Sequence, residues 1–271
     1  MAASITSGVT AALAALDFTP TLAVLVPTRD EATAWYVRSI ERAARKVGIA
    51  CRVVQLDDPT PAEVAARLDA LSADPSVHGV ICQTPLPAGV TLDEVGAHID
   101  PRKDVDGANP ASLGRLAAGL PTYPPATAAA VLEVLRHERV PLEGAHAVVV
   151  GRSTVVGKPA ALLLLEENAT VTVCHSRTAD LAAVTSSADV LVVAVGRPGF
   201  VGAEHVKPGA FVVDVGTNPT PDGSLVGDVD HAAVAPVAGR LTPVPGGVGP
   251  VTTAMLLRHT ANAAQVIAAD G

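Results

Sequence analysis

Short runs of β-branched residues alternate with alanine-rich amphipathic stretches along most of the 271-residue chain, and this alternation restricts the possible folds more than any other feature. The first run covers residues 22–26, and a stretch with helical periodicity separates it from the second run, residues 51–56. Strands that alternate with helices are typical of βαβ units, in which the strands pair in parallel. The sequence therefore predicts an α/β fold.

Capping residues mark the ends of the predicted helices. Gly48 ends the helical pattern of residues 31–47, as a C-cap glycine does. Thr60 and Glu63 have capping-box spacing around a proline at the first helical position, and Thr91 and Glu94 repeat that spacing. Each pair predicts a helix that begins there.

A stretch with little periodicity interrupts the pattern near the middle of the chain. It is rich in residues that mark loops and linkers, namely Gly114, Gly119, Pro121, Pro124 and Pro125. Strand-like runs follow at residues 145–150, 171–174, 190–195 and 210–215, and residues 252–269 have the pattern of a closing helix. Because about half of the residues are apolar, the chain can form two hydrophobic cores. We expect two domains, joined within this stretch.

Charge and cysteine content exclude several classes of function. The net charge is −8 and no basic cluster is present, which argues against a nucleic-acid partner. The three cysteines are widely separated and lack CxxC spacing, so neither a disulfide framework nor a zinc site is predicted. No secretion signal or long apolar segment is evident, so we expect no membrane association and a cytoplasmic location.

Residues 151–159 join a predicted strand to a predicted helix, and Gly151 and Gly157 suit a nucleotide-binding turn there. Glycine lets a pyrophosphate approach the backbone N–H groups at a helix N-terminus, where the helix dipole favours an anion. The spacing is not GxGxxG. It is not a P-loop either, because Pro159 stands where Ser or Thr would bind magnesium. A purely structural turn is the alternative.

The next predicted strand ends without the acidic residue that accepts hydrogen bonds from the ribose 2′-hydroxyl of NAD. It is followed instead by Ser176 and Arg177, while Arg152 follows the preceding strand. Two guanidinium groups and a hydroxyl suit a 2′-phosphate, so the sequence favours NADP as the cofactor. The alternative is that both arginines are solvated surface charges.

Several motifs together resemble the methylenetetrahydrofolate dehydrogenase/cyclohydrolase family. The most specific is TPVPGGVGP at residues 242–250, which is identical to the family signature. KDVDG at residues 103–107 is also similar, as are QTPLP at residues 83–87 and the cofactor-loop residues 151–153 and 174–177. Taken singly, the glycine- and proline-rich run could be a rigid connection, and the Asp-Val-Asp triplet a solvated turn.

The resemblance implies an N-terminal catalytic domain, residues 1–123 with 252–271, and a Rossmann-like NADP-binding domain, residues 124–251, with folate in a cleft between them. Family members are commonly dimers, so a homodimer is expected. Compared with the family, the stretch before Thr21 is short and lacks most of the usual first strand and helix.

The same resemblance assigns roles to individual residues. Asp106 is expected to hydrogen-bond the pterin and Tyr36 to pack along the folate. Gln83 would orient a catalytic lysine in the family and is here expected to bind the ligand directly. Further substrate contacts are expected near the nicotinamide at Pro245, Gly246, Gly247 and Pro250. Cofactor contacts are expected at Gly151, Arg152, Ser153, Val156, Ser176, Arg177, Gly196 and Thr217, although Thr217 replaces an aliphatic residue of the family.

One departure affects the catalytic centre. The family has a lysine four residues after its tyrosine, and an ungapped alignment from Tyr36 to Gly48 places Ile40 there. Residues four apart share a helical face, so Ile40 should lie beside Tyr36, where it can pack but cannot exchange a proton. Arg38 and Arg42 point away from that face, and Lys46 lies about 9 Å further along the helix.

The two reactions of the family depend differently on that lysine. Hydride transfer from the methylene carbon moves no proton, whereas hydration of the methenyl cation needs general acid–base help worth about 10² to 10⁴ in rate. We therefore expect an NADP-dependent methylenetetrahydrofolate dehydrogenase with weak or absent cyclohydrolase activity. The alternatives are a dehydrogenase for a modified folate or another imine or methylene compound, and a non-catalytic folate-binding paralogue.

Overall fold

The computed structural model describes residues 1–270. The chain divides into two compact units: unit 1 consists of Met1–Ala126 and the residues from Thr253 onward, and unit 2 is Thr127–Thr252. Each unit contains a parallel β-sheet whose strands alternate with helices along the chain. The predicted α/β fold class is therefore confirmed.

Unit 1 begins with a helix and continues as three βα repeats. Its elements are α1 (Ala2–Leu13), β1 (Thr21–Val26), α2 (Glu31–Val47), β2 (Ala50–Gln55), α3 (Pro61–Ala73), β3 (Gly79–Cys82), α4 (Leu92–Gly96) and α5 (Pro110–Ala117). The three strands pair in parallel in the order β2-β1-β3. Because β1 is central and its residues from Leu22 onward are buried, it forms the middle of the core of this unit.

The predicted helix ends of unit 1 are confirmed. Helix α2 ends at Gly48, whose φ of 93° is left-handed and therefore suits glycine. Thr60 forms the predicted capping box of α3, since its backbone N–H donates to the Glu63 carboxylate at 2.7 Å and its hydroxyl accepts from the Glu63 N–H. Thr91 and Glu94 form the same box at α4.

Two expectations for unit 1 are wrong. The predicted linker is in part a helix, α5, because Asn109 accepts a hydrogen bond from the Ala111 N–H as an N-cap and Pro110 occupies the first helical turn. Gly114 lies inside that helix. The N-terminal stretch also contains a 12-residue helix, α1, which has no side-chain cap and buries Val9.

Unit 2 is built around a five-stranded sheet. Its elements and those that follow are α6 (Ala126–His137), β4 (His146–Val150), α7 (Gly157–Glu166), β5 (Thr170–Cys174), α8 (Leu181–Thr185), β6 (Val190–Val193), a 3₁₀ turn (Ala203–His205), β7 (Phe211–Asp214), β8 (Asn218–Pro219), β9 (Leu225–Val226), α9 (His231–Val234), β10 (Arg240–Leu241) and α10 (Val248–Asp270). Most of α10 belongs to unit 1, since that unit resumes at Thr253.

The order of the large sheet is β10-β7-β6-β4-β5, and its strands are parallel. The chain therefore leaves β4 towards β5 on one side and returns to β6 on the other. In open α/β sheets such a reversal creates a crevice at the carboxyl ends of the strands, where ligands bind. The register pairs Val150 with both Cys174 and Val193, and Val193 with Asp214, so four strands end along one edge.

None of the helices within residues 1–270 is both long and apolar enough to cross a membrane.

Candidate active site

The predicted site residues fall into two groups, one in each unit. In unit 1, Tyr36 lies on α2, Gln83 directly follows β3, and Asp106 lies in the loop before α5. The backbone N–H of Gln83 donates to the Leu25 carbonyl at 2.8 Å, which extends the pairing of β3 with β1. This hydrogen bond fixes the backbone of Gln83 at the carboxyl edge of the three-stranded sheet.

Asp106 has a pKa well above the ordinary value for aspartate. Its carboxylate accepts a hydrogen bond from the Ala126 N–H at 3.3 Å. Burial, together with the negative charge of Asp104, raises the pKa of Asp106 to about 7. A carboxyl group that changes its charge near neutral pH is typical of a functional site.

Tyr36 lies within electrostatic range of Asp106. Burial and the Asp106 charge raise the pKa of Tyr36 above its ordinary value, while a side-chain hydrogen bond with Thr253 opposes that rise. The same two causes raise the pKa of the Cys82 thiol to about 12. The structure therefore brings Tyr36, Asp106, Cys82 and Thr253 together, and Tyr36 and Cys82 stay neutral at physiological pH.

The KDVDG motif contains residues with separate tasks. The Lys103 ammonium is buried and donates to the backbone carbonyls of Ser72 and Asp74 at 2.8 and 2.7 Å, at the C-terminal end of α3. Asp104 is also buried, and its carboxylate accepts from the N–H groups of Ala108 and Asn109. These two side chains stabilise the loop, so Asp106 is the acid of the motif that remains for a ligand.

Two residues that the sequence analysis missed support the same loop. His259 on α10 is buried, and its Nδ1 lies 2.8 Å from the Val105 carbonyl oxygen. Its ring also contacts the ring of Tyr123, with centroids 5.4 Å apart. A histidine inside a predicted closing helix gives no sequence signal for such a role.

Ile40 lies one helical turn beyond Tyr36 and is completely buried, with 0% of its surface exposed. Arg38, Arg42 and Lys46 of the same helix are all exposed. Four residues after Tyr36, therefore, α2 carries an aliphatic side chain packed inside the protein. These three basic side chains of the helix are exposed to solvent instead.

In unit 2, the turn after β4 requires both of its glycines. A Cβ on Gly151 would lie 2.2 Å from the Ala194 carbonyl oxygen, and a Cβ on Gly157 would lie 2.2 Å from the Gly151 carbonyl oxygen. The Ser153 hydroxyl accepts hydrogen bonds from the N–H groups of Val156 and Gly157 at 3.1 and 3.3 Å, where α7 begins. The turn is tight enough for a ligand to approach the backbone closely.

The remaining predicted cofactor residues line the same carboxyl edge. Arg152 follows β4, and Ser176 and Arg177 follow β5; all three are exposed. Within residues 1–270, neither arginine forms a salt bridge. Gly196, with a φ of 64°, follows β6, and the exposed Thr217 follows β7.

The glycine- and proline-rich run in unit 2 has its own conformational requirements. Gly246 has a φ of 103°, and a Cβ on Gly247 would lie 2.4 Å from the Pro243 carbonyl oxygen. Pro245 and Pro250 are exposed. The predicted substrate contacts in this run are therefore on a constrained loop of unit 2.

Three features define a class of protein, a two-unit α/β enzyme with a dinucleotide-binding unit. They are a parallel sheet with a reversal point, a glycine-dependent turn at a helix N-terminus, and two exposed arginines at one edge of the sheet. Residues 1–106 match the family model described as the tetrahydrofolate dehydrogenase/cyclohydrolase catalytic domain. Residues 125–268 match the NAD(P)-binding domain of the same family. The chain belongs to the tetrahydrofolate dehydrogenase/cyclohydrolase family, and the prediction of an enzyme of this family is confirmed.

Individual relatives agree with this assignment. The bifunctional protein FolD of Parafrankia sp. (strain EAN1pec) is 66% identical over 93% of this chain and 91% of its own length. The solved structure of FolD from Campylobacter jejuni is 38% identical with a TM-score of 0.93, covering 98% of this chain and 96% of that one. FolD from Trypanosoma brucei, solved with NADP and an inhibitor, is 35% identical with a TM-score of 0.92, covering 98% and 95%.

Proposed function

We propose that this enzyme oxidises 5,10-methylenetetrahydrofolate to 5,10-methenyltetrahydrofolate with NADP, and that its cyclohydrolase activity is weak or absent. The observation that carries the second part is the buried Ile40 beside Tyr36. Relatives are named bifunctional, so the proposal distinguishes this chain from proteins that perform both reactions.

The cofactor is NADP. The turn between β4 and α7 is tight, because a Cβ on Gly151 or Gly157 would lie 2.2 Å from a backbone carbonyl oxygen. A tight glycine turn that leads into a helix N-terminus suits a pyrophosphate at the start of α7. Arg152 and Arg177, without salt-bridge partners in the described residues, supply the positive charge that a 2′-phosphate needs. We assign further cofactor contacts to Ser153, Val156, Ser176, Gly196 and Thr217.

We assign substrate binding in unit 1 to Tyr36, Gln83 and Asp106, and in unit 2 to Pro245, Gly246, Gly247 and Pro250. The pterin ring carries N–H donors, and an ionised Asp106 accepts them while the Tyr36 ring packs against the flat ligand. NADP, when bound, supplies the hydride acceptor. The chain's task in this reaction is to position the methylene carbon and to surround the developing cation with suitable electrostatics.

Hydrolysis of the methenyl product makes a further demand. Water must lose a proton as it attacks, and a ring nitrogen must gain one as the ring opens, so a group that exchanges protons is required. Ile40 has no such group. Gln83 can orient a ligand through hydrogen bonds, but its amide does not titrate, so it does not replace the missing base.

The test uses the purified protein with methylenetetrahydrofolate and either NADP or NAD. We expect NADPH to form together with an equal amount of methenyl product. That product should then disappear no faster than it hydrolyses spontaneously in the absence of the enzyme. Rapid loss of added methenyltetrahydrofolate would contradict the cyclohydrolase part of the proposal. Tight NADPH binding without oxidation of methylenetetrahydrofolate would instead indicate a different substrate.

We also propose that the protein acts in the cytoplasm as a homodimer. The three cysteines are free thiols, which suits a reducing compartment. Size-exclusion chromatography with light scattering tests the dimer, and a monomer at micromolar concentration would contradict it.

A further inference from the structure

Asp228 is a fully buried acid in unit 2 that the proposed function does not use. It follows β9, and 0% of its surface is exposed. Its carboxylate accepts from the N–H groups of Val195 and Gly196 at 2.6 and 2.9 Å on one oxygen. On the other oxygen it accepts from the Arg197 N–H at 2.8 Å and from the Asn218 Nδ2 at 2.9 Å.

Three of these donors are consecutive backbone N–H groups of the loop after β6. Such a concave set of N–H groups is an anion-binding arrangement, and here a side chain of the protein occupies it. The loop contains Gly196, whose φ of 64° is left-handed. Asp228 therefore fixes the conformation of a segment that the proposed function assigns to the cofactor.

The loop after β7 depends on the same carboxylate. A Cβ on Gly216 would lie 2.4 Å from the Asp228 Cγ, so the carboxylate packs directly against this glycine. The Asn218 side chain donates to Asp228. The residues on both sides of Thr217 are thus held by Asp228, while the Thr217 side chain itself is exposed.

A second buried acid, Asp214, fixes Asp228 in turn. Its carboxylate accepts from the N–H groups of Gly216 and Asp228, both at 2.9 Å, and from the Val229 N–H at 3.1 Å. The backbone of Asp228 therefore has little freedom. Two carboxylates, both held inside the protein, connect the ends of β6 and β7.

We propose that Asp228 is a positioning residue for the nicotinamide cofactor. Its carboxylate joins the loop that carries Gly196 to the loop that carries Thr217, and the two loops form one rigid binding surface. This inference rests on the proposed NADP site in unit 2. Only a group that accepts on both oxygens satisfies all four donors, because an amide would direct its own N–H groups at some of them.

The test compares Asp228→Asn with Asp230→Asn. The control residue lies two positions away and is exposed, and its side chain accepts the capping hydrogen bond from the Ala233 N–H. Asparagine caps helices as well as aspartate does. For Asp228→Asn we expect the NADPH dissociation constant and the KM for NADP to rise about tenfold, as loss of a hydrogen bond to a charged group predicts. The KM for methylenetetrahydrofolate should stay within about twofold of the wild-type value, a difference of less than about 0.5 kcal/mol.

Amide hydrogen exchange provides a readout at the loop itself. Residues 195–197 should exchange faster in Asp228→Asn than in the wild type, and at the wild-type rate in Asp230→Asn. A milder variant, Asn218→Ala, removes a single donor from the carboxylate and is used if Asp228→Asn does not fold. We expect it to weaken NADPH binding about threefold, since only part of the free energy of one hydrogen bond is lost.

The possible outcomes separate the two proposals. Wild-type NADPH binding with unchanged affinity in folded Asp228→Asn, or in Asn218→Ala when Asp228→Asn is unfolded, overturns the role of Asp228 alone. A lower melting temperature without a change in affinity overturns it as well, because that result describes a purely structural residue. A wild-type protein that does not bind NADPH overturns the proposed function, and the role of Asp228 with it.

Discussion

Replacing Ile40 with lysine tests the central argument about this enzyme. The substitution places an ammonium group one helical turn from Tyr36, in a position that the present structure fills with a completely buried aliphatic side chain. Hydride transfer needs no proton exchange at this position, whereas hydration of the methenyl cation needs a group that takes the proton from water and returns one to the ring nitrogen. The substitution should therefore affect the two activities very differently.

The rate gain and the stability cost can both be bounded. General acid–base help is worth about 10² to 10⁴ in rate, so hydrolysis of methenyltetrahydrofolate should increase by that range. The dehydrogenase kcat/KM should change by less than about threefold, which corresponds to under 1 kcal/mol. Loss of a buried isoleucine costs about 1.5 to 3 kcal/mol of stability. Desolvation of the ammonium adds to this loss, and attraction to Asp106 reduces it.

The assay follows the methenyl chromophore after mixing, in the absence of NADP, and urea unfolding measures stability. Ile40→Met is the matched control, because it keeps a long apolar side chain and should cost about 1 kcal/mol without any gain in hydrolysis. A folded Ile40→Lys protein that hydrolyses methenyltetrahydrofolate no faster than Ile40→Met would refute the reasoning. Rapid hydrolysis by the wild type would refute it as well.

Three further predictions concern other parts of the chain. Arg177→Ala should raise the KM for NADP about tenfold or more and leave the KM for NAD almost unchanged, because only NADP offers a 2′-phosphate to the guanidinium. The control is Arg67→Ala, at an exposed position of α3 in unit 1, and equal effects of Arg177→Ala on both cofactors would contradict the assignment. The pKa of Asp106 is about 7, and its ionised form is the hydrogen-bond acceptor, so the kcat/KM for methylenetetrahydrofolate should rise with pH through 7. Asp106→Asn should remove this rise and lower the kcat/KM at high pH about 10- to 100-fold. A rise that persists in Asp106→Asn would belong to another group. Burial lowers the pKa of His78, whose Nδ1 accepts from the Thr21 N–H, so the folded protein favours the neutral ring. The free energy of unfolding should therefore be fully maintained above pH 6.5, the ordinary pKa of histidine, and fall as the pH drops below it. His78→Asn should flatten that fall in urea titrations at pH 5 to 7.

The sequence predicted those parts of the fold that depend on local chemistry. Capping boxes at Thr60 and Thr91 and the C-cap glycine Gly48 gave helix ends that the structure reproduces. Helix α5 was missed because a glycine lies in its interior and its eight residues are too few for a clear periodicity. The Asn109-Pro110 pair was the available signal, since asparagine is a good N-cap and proline suits the first helical turn.

The candidate site shows a different limit. The sequence places Lys103, Asp104 and Asp106 together, but their spacing does not reveal which side chains turn inward. That outcome depends on groups elsewhere in the fold. Lys103 donates to carbonyl groups at the end of α3, and Asp104 accepts from N–H groups before α5. Likewise, Asp228 contacts residues about 30 positions earlier in the chain, so its role depends on the sheet order and is invisible to local patterns.

A positive charge introduced at position 40 should also act on Asp106, because position 40 lies one helical turn from Tyr36 and the Asp106 charge acts on Tyr36. In the present chain the largest cause of the raised pKa of Asp106 is burial, and Asp104 adds a like charge. An ammonium at position 40 would favour the ionised form of Asp106, since an opposite charge about 4 to 6 Å away typically lowers the pKa of an acid by one unit or more. The Ile40→Lys enzyme should therefore show its rise in dehydrogenase kcat/KM at least about one pH unit lower than the wild type, whereas Ile40→Met should keep the wild-type midpoint. An unshifted midpoint would contradict this expectation and would mean that the ammonium points away from Asp106.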